Sequence, residues 1–232
     1  MEETVATFEQ WVRWVFDHPV ATDVKDEWWW KDRADDEGGW LDRPPERALA
    51  FVISLFEDPT PYLSDYSDGQ INQGLEFIVF SACSRHFSGL TDRSVDFELR
   101  SRCIRSLESL FRELIAQRTS DDVKIYTRPL DHMCDMLWDM VVKDAYDLKR
   151  NSDGTFRSVR DPEIDKVILG TLSRILAMPS IGCQQSALHG LGHLVWEAGI
   201  GTDVVQQYLD DHPSLRGDVR EYALKAQAGK VL

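Results

Sequence analysis

Apolar residues recur along this chain at three- and four-residue spacing, the period of helices that bury one face. Phe8, Trp11, Val12, Val15 and Phe16 share such a face and predict a first helix over residues 3–17. Pro19 stops it, because a proline disfavours helical geometry in the residue before it. Residues 20–43 break the pattern. Acidic residues are dense there, Gly38-Gly39 interrupts any helix, and Trp28, Trp29, Trp30 and Trp40 crowd together. This reads as a long irregular segment with a helical turn around the tryptophan run. Three consecutive tryptophans cannot all point inward from one element, so at least one covers a different surface.

Helical spacing resumes at Pro44-Pro45-Glu46, with prolines and an acid in the first turn. Leu49, Val52, Ile53 and Phe56 line its apolar face, and Glu57-Asp58-Pro59 ends it. Ser67-Asp68 supplies a cap for a helix carrying Ile71, Leu75, Ile78 and Val79 to about Ser84. Residues 94–118 predict one long helix with Phe97, Ile104, Leu107, Leu110, Phe111 and Leu114 inside and Arg and Glu alternating outside. Pro129 opens another, containing Met133, Met136, Leu137, Met140 and Val141. Residues 150–160 read as a polar loop, with a short hairpin as the alternative. Asp161-Pro162-Glu163 starts a helix that Pro179 closes. Residues 182–197, 202–211 and 216–228 complete the series. Nothing reads as a parallel sheet. The expectation is a single all-α domain over residues 1–232, with an N-terminal part (1–43), a first helical part (44–150) and a C-terminal part (161–232).

Two stretches echo one another. Around Gln73 the chain reads Gln-Gly-Leu-Glu-Phe-Ile-Val-Phe, and around His189 it reads His-Gly-Leu-Gly-His-Leu-Val-Trp. Each follows a helix closed by proline and a short connector. Each places a glycine, Gly74 or Gly190, inside a helix, where it costs about 1 kcal/mol relative to alanine and is tolerated where two helices approach closely. The run Cys183-Gln184-Gln185-Ser186-Ala187-Leu188-His189-Gly190-Leu191-Gly192-His193-Leu194 resembles the second helix of a HEAT-type repeat. The chain also resembles uncharacterised bacterial proteins that share the Ala-Leu-His-Gly-Leu-Gly-His phrase. The resemblance covers residues 161–230 well and 44–85 loosely. It implies a short stack of antiparallel helix pairs, a HEAT-like α-solenoid, which is a generic binding scaffold.

Charge narrows the choice of partner. Forty acidic residues against 26 basic ones give a formal net charge of −14. Such a surface repels phosphate, so nucleic acid and anionic membranes are excluded as partners, while a protein with a basic surface is attracted. Cys83, Cys103, Cys134 and Cys183 form no CxxC pair and read as buried free thiols in a reducing compartment. With an acidic N-terminus and no apolar run near the ~18 residues of a membrane span, the expected location is cytoplasmic.

Candidate chemistry is sparse. His189 and His193 stand one helical turn apart and can share a metal ion. But the zinc-protease pattern needs Glu where Gly190 stands, and the spacing fixes no third ligand beyond Cys183 or Glu197 as candidates. The reading taken is two helix-interface histidines bonded to backbone or a neighbouring carboxylate, with no metal or other cofactor; a metal-dependent hydrolase using His189 and His193 stands as an alternative. Asp131, His132, Cys134 and Asp135 suggest a Cys–His nucleophile, but side chains two apart on a helix diverge. Asp32, Asp35, Asp36 and Glu37 lack the alternation of a calcium loop and read as a solvated acidic loop. Met133, Met136 and Met140 read as core. No phosphate loop or nucleophile elbow appears. The expectation is therefore a non-catalytic scaffold that engages another protein through an acidic surface containing Trp28, Trp29, Trp30 and Trp40, tryptophan being favoured at binding hot spots. A toxin-neutralising immunity-type protein is a specific version of it.

Overall fold

The computed structural model of the chain describes residues 7–31, 44–123, 126–143, 146–150 and 156–231. The elements are helical apart from one antiparallel ribbon. In chain order they are α1 (Phe8–Phe16), α2 (Trp28–Lys31), α3 (Pro45–Glu57), α4 (Thr60–Leu63), α5 (Asp68–Val79), α6 (Phe97–Leu110), α7 (Ala116–Arg118), α8 (Pro129–Lys143), β1 (Tyr146–Arg150), β2 (Phe156–Arg160), α9 (Pro162–Leu176), α10 (Ile181–Ala198), α11 (Thr202–Asp211) and α12 (Gly217–Gln227). The expected all-α class holds. Where a polar loop was the first reading, β1 and β2 pair from Tyr146 opposite Arg160 to Arg150 opposite Phe156. The long helix expected over 94–118 is interrupted by a π-helical turn, Phe111–Ile115, between α6 and α7.

Local chemistry accounts for the helix starts. Thr7 and Ser67 each form a capping box, accepting from the backbone N–H of Gln10 and Gln70 while those side chains accept in return. Asp96 caps α6 and Asp161 caps α9, where Pro162 occupies the first turn. Ser180 caps α10, and Gly199 ends it with φ +70°, a conformation open to glycine.

Most major helices pack on the one two places along. One layer runs α1–α5–α8–α10–α12 and the other α3–α6–α9, with α10 also meeting α9 and α11. A continuous apolar core lies between the layers. The echoed glycines sit at close crossings. A Cβ on Gly74 would overlap the Phe16 ring, and one on Gly190 would lie 2.6 Å from Leu172 Cδ2 and 2.9 Å from Trp138 Cγ. From Gln185 to Leu194 every residue of α10 is buried, the signature of a helix enclosed on all sides. This enclosure gives the polar residues of α10 their partners inside the protein.

Two buried polar groups elsewhere are held by specific partners. Trp11 Nε1–H donates to His86 Nε2 at 2.9 Å, and His86 Nδ1 lies 2.8 Å from Ser84 Oγ. Arg160, at the end of β2, grips Asp165 with Nε and Nη2 and donates from Nη1 to the Val142 carbonyl. That one side chain ties the ribbon to α8 and α9.

Candidate metal centre

The centre forms where α8 meets α10. Asp131, Asp135 and Asp139 follow one another at four-residue spacing on α8, and this spacing keeps them on one side of an otherwise apolar helix. Each has a separate task. The Asp131 carboxylate accepts from the backbone N–H of Ser120, Thr127 and Arg128 at 2.8–2.9 Å and so closes the loop before α8. Asp135 Oδ2 accepts from the Tyr126 hydroxyl at 2.9 Å and from Gln185 Nε2 at 3.1 Å. Asp139 reaches the two histidines of α10.

Gly190 makes that meeting possible. Without a Cβ there, α10 lies directly against Trp138 of α8, and Ser186 Oγ donates to the Cys134 carbonyl at 2.7 Å. Gly192 similarly admits Val231 from the chain end. The His-Gly-Leu-Gly-His phrase thus sets two histidines on either side of two close approaches.

His189 Nε2 lies 3.1 Å from Asp139 Oδ1, and His193 Nε2 lies 2.5 Å from the same oxygen. The two Nε2 atoms are 3.1 Å apart, with the rings at 81°. Three donor atoms therefore converge on one point. Metal bonds of about 2.1 Å place neighbouring ligand atoms about 3.0 Å apart at right angles and about 3.4 Å apart at the tetrahedral angle. Two of the three edges match this. The third is a hydrogen-bond length and would open on loading. The rings are 6% and 3% exposed and the Asp139 side chain 15%, so the carboxylate marks the side open to water.

The electrostatics favour a cation. Burial opposes charge on Asp139, but the hydrogen bonds and charges of His189 and His193 outweigh it and hold the carboxyl far below the usual carboxylate range. Behind His189, its Nδ1 meets the Tyr222 hydroxyl of α12 at 2.8 Å. Burial first, then the charges of Asp135 and other neighbours, push the Tyr222 phenol far up, so it keeps its proton.

The other candidates fall elsewhere. Cys183 lies off this centre, its Sγ 3.9 Å from the Phe111 carbonyl and its thiol pushed up by burial to about 11. Glu197 is not among the converging groups. Cys134 is buried, donates to the Leu130 carbonyl, and has its thiol pushed well up by burial. His132 packs against Tyr126 instead, so no Cys–His nucleophile forms. Trp28 and Trp29 are 7% and 2% exposed, and Trp28 stacks on His18 at 4.0 Å between planes 6° apart. They clamp their segment onto Phe77 of α5. Trp30 is 44% exposed. Trp40 and the acids Asp32, Asp35, Asp36 and Glu37 lie outside the described residues.

Sequence reasoning missed Asp139 and Tyr222. The available signal for the first was the Asp131–Asp135–Asp139 stripe, since three carboxylates on one side of a core helix need buried partners. No local signal marked Tyr222. Among the described residues, no helix is long and apolar enough to cross a membrane. Compared with family models, with curated proteins and with solved structures, the chain finds no match.

Proposed function

We propose that this protein binds a divalent metal ion through Asp139, His189 and His193 and that its activity is metal-dependent hydrolysis. The observation that carries the reading is the convergence of His189 Nε2, His193 Nε2 and Asp139 Oδ1 within hydrogen-bonding distance of one another. Two imidazoles and one carboxylate suit zinc and its first-row neighbours. Asp139, His189 and His193 would hold the ion, and such a cation would supply an activated water for hydrolysis near neutral pH. Metal analysis of protein purified without a histidine tag tests it. The expected content is about one ion per chain, lost in the His189→Ala/His193→Ala double variant. Sub-stoichiometric metal, unchanged in the double variant, overturns the reading.

A second reading, a scaffold that binds a basic protein, is favoured by two other observations. The alternation of α1–α5–α8–α10–α12 with α3–α6–α9 is the contact pattern of stacked helix pairs, which supports the HEAT-like solenoid and the resemblance of residues 161–230. A groove between α9 and α11 has Leu176, Val204 and Tyr208 along it, with the carboxylates of Asp203 and Asp211 beside them. A toxin-neutralising role is the specific form of this reading. Capture of a basic partner from the source cell, released by rising salt, is expected. A salt-insensitive background alone removes it.

A further inference from the structure

We propose that the groove between α9 and α11 is the docking site for a basic amphipathic helix of a partner protein. Its apolar side chains sit between the two helices, and two of its Lys or Arg residues, two turns apart, meet Asp203 and Asp211. This rests on the scaffold reading and names the part of the surface that the partner would use.

The groove exists because helix packing lapses there. α6 packs on α9, but α11 packs on α10 and α12 and barely meets α9. Ser173 and Ala177 stand one turn apart on α9, and their small side chains leave the gap open. Leu176, Val204 and Tyr208 line it with apolar surface, and its volume is about 480 Å³. Sites that take a ligand span about 300–1,000 Å³. A gap between two helices accepts the side-chain ridge of a third, and an amphipathic helix presents such a ridge as apolar residues three and four positions apart.

Charge decides which helix fits. α11 carries Asp203, Asp210 and Asp211 and no basic residue. Other exposed acids of the protein find a cation on their own helix, as Glu163 does in Lys166 and Glu221 in Lys225. Among the described residues none pairs with Asp203 or Asp211. On the facing helix, Arg174 is joined to Glu108 of α6. Both aspartates are exposed beside the apolar lining. They stand at i and i+8 on α11, about 12 Å apart along its axis. Gln207 Nε2 donates to Asp211 Oδ1 at 2.8 Å and holds it in place. Two cations spaced by two turns of a partner helix match both carboxylates. An acidic partner, or a second copy of this chain with its net charge of −14, would bring like charge to the same rim.

The probe is a fluorescein-labelled peptide of leucine and lysine alone, patterned as an amphipathic helix. Fluorescence anisotropy reads its binding, and hydrogen–deuterium exchange locates it. We expect saturable binding that weakens with salt, with amide protection in α9 and α11. Asp203→Asn/Asp211→Asn should bind about fivefold more weakly, the scale of two exposed ion pairs. A leucine–glutamate peptide of the same pattern should not bind. Equal binding by the variant overturns the proposal, as does protection confined to other helices. No binding by the wild type also overturns it. The wild-type exchange map decides the matter even where the variant fails to fold. The scaffold reading is judged apart, by capture of a basic partner from the source cell. A partner held equally by wild type and variant leaves that reading standing without this groove.

Discussion

Gly190 shows at the scale of one residue why helix propensity does not govern α10. Alanine would be worth about 1 kcal/mol more in an isolated helix, yet its methyl group would meet Trp138 and Leu172 at 2.9 and 2.6 Å. Overpacking of this kind costs about 1–3 kcal/mol. Gly190→Ala is therefore expected to lower the urea midpoint, and an unchanged or raised midpoint would show that α8 and α10 can part without penalty. Glu76 makes a second case. Burial raises its carboxyl above the usual 4.5, with the nearby His132 opposing. A carboxyl raised on folding stabilises the native state below its unfolded value and loses that contribution as pH rises through the folded one. Glu76→Gln should therefore be more stable than wild type at pH 7, with the advantage shrinking toward pH 4.5 and below. Urea titrations at the two pH values check this, and an advantage that grows on acidification would contradict it.

Among the elements, the ribbon is joined to α8 and α9 through the Arg160 side chain. Arg160 and Asp165 are 13% and 7% exposed and are joined through two guanidinium nitrogens. Removing one member of a buried pair strands the other's charge and costs about 3–5 kcal/mol. Asp165→Asn should accordingly lower the calorimetric midpoint far more than loss of an exposed pair such as Lys166–Glu163, where Glu163→Gln is expected to change stability by about 0–1 kcal/mol. Equal effects would place the Arg160 side chain in water. The helices themselves were legible because caps and stripes are local. Ser67, Asp161 and the prolines at residues 45 and 162 announce their ends within one turn, whereas the first helix, expected from residue 3, begins only after its Thr7 cap. The ribbon was legible only as an alternative, because Tyr146-Asp147-Leu148-Lys149 alternates over a single short run and Phe156-Arg157-Ser158-Val159-Arg160 does not keep the alternation. The π turn at Phe111–Ile115 also escaped, since one extra residue in a turn leaves the surrounding spacing nearly intact.

For the whole molecule, a ligand bound only by the native state raises stability by mass action. It contributes about 2.7 kcal/mol at a hundredfold excess over Kd. Zinc added to chelator-treated protein should raise the melting temperature in a concentration-dependent way, and His193→Ala should abolish the increment. A variant that keeps the full increment would place the metal elsewhere. The centre lies at the join of α8 and α10, so loading is expected to slow amide exchange in both helices together, as measured by hydrogen–deuterium exchange. Protection confined to α10 would mean that Asp139 is not a ligand.

Several properties followed from the sequence alone: the helical class, most helix starts, the net charge of −14 and the one-turn spacing of His189 and His193. All of these depend on neighbours within a turn or on simple sums over the chain. Tertiary packing decided the rest. It turned the histidine pair toward Asp139, fifty positions earlier, and brought Tyr222, 33 positions later, behind one ring. It also drew Trp28 and Trp29 into the core and left Trp30 at the surface. The reason is that helical periodicity says which residues share a face but not which other helix that face meets. The meeting is set by where glycine lets two backbones approach.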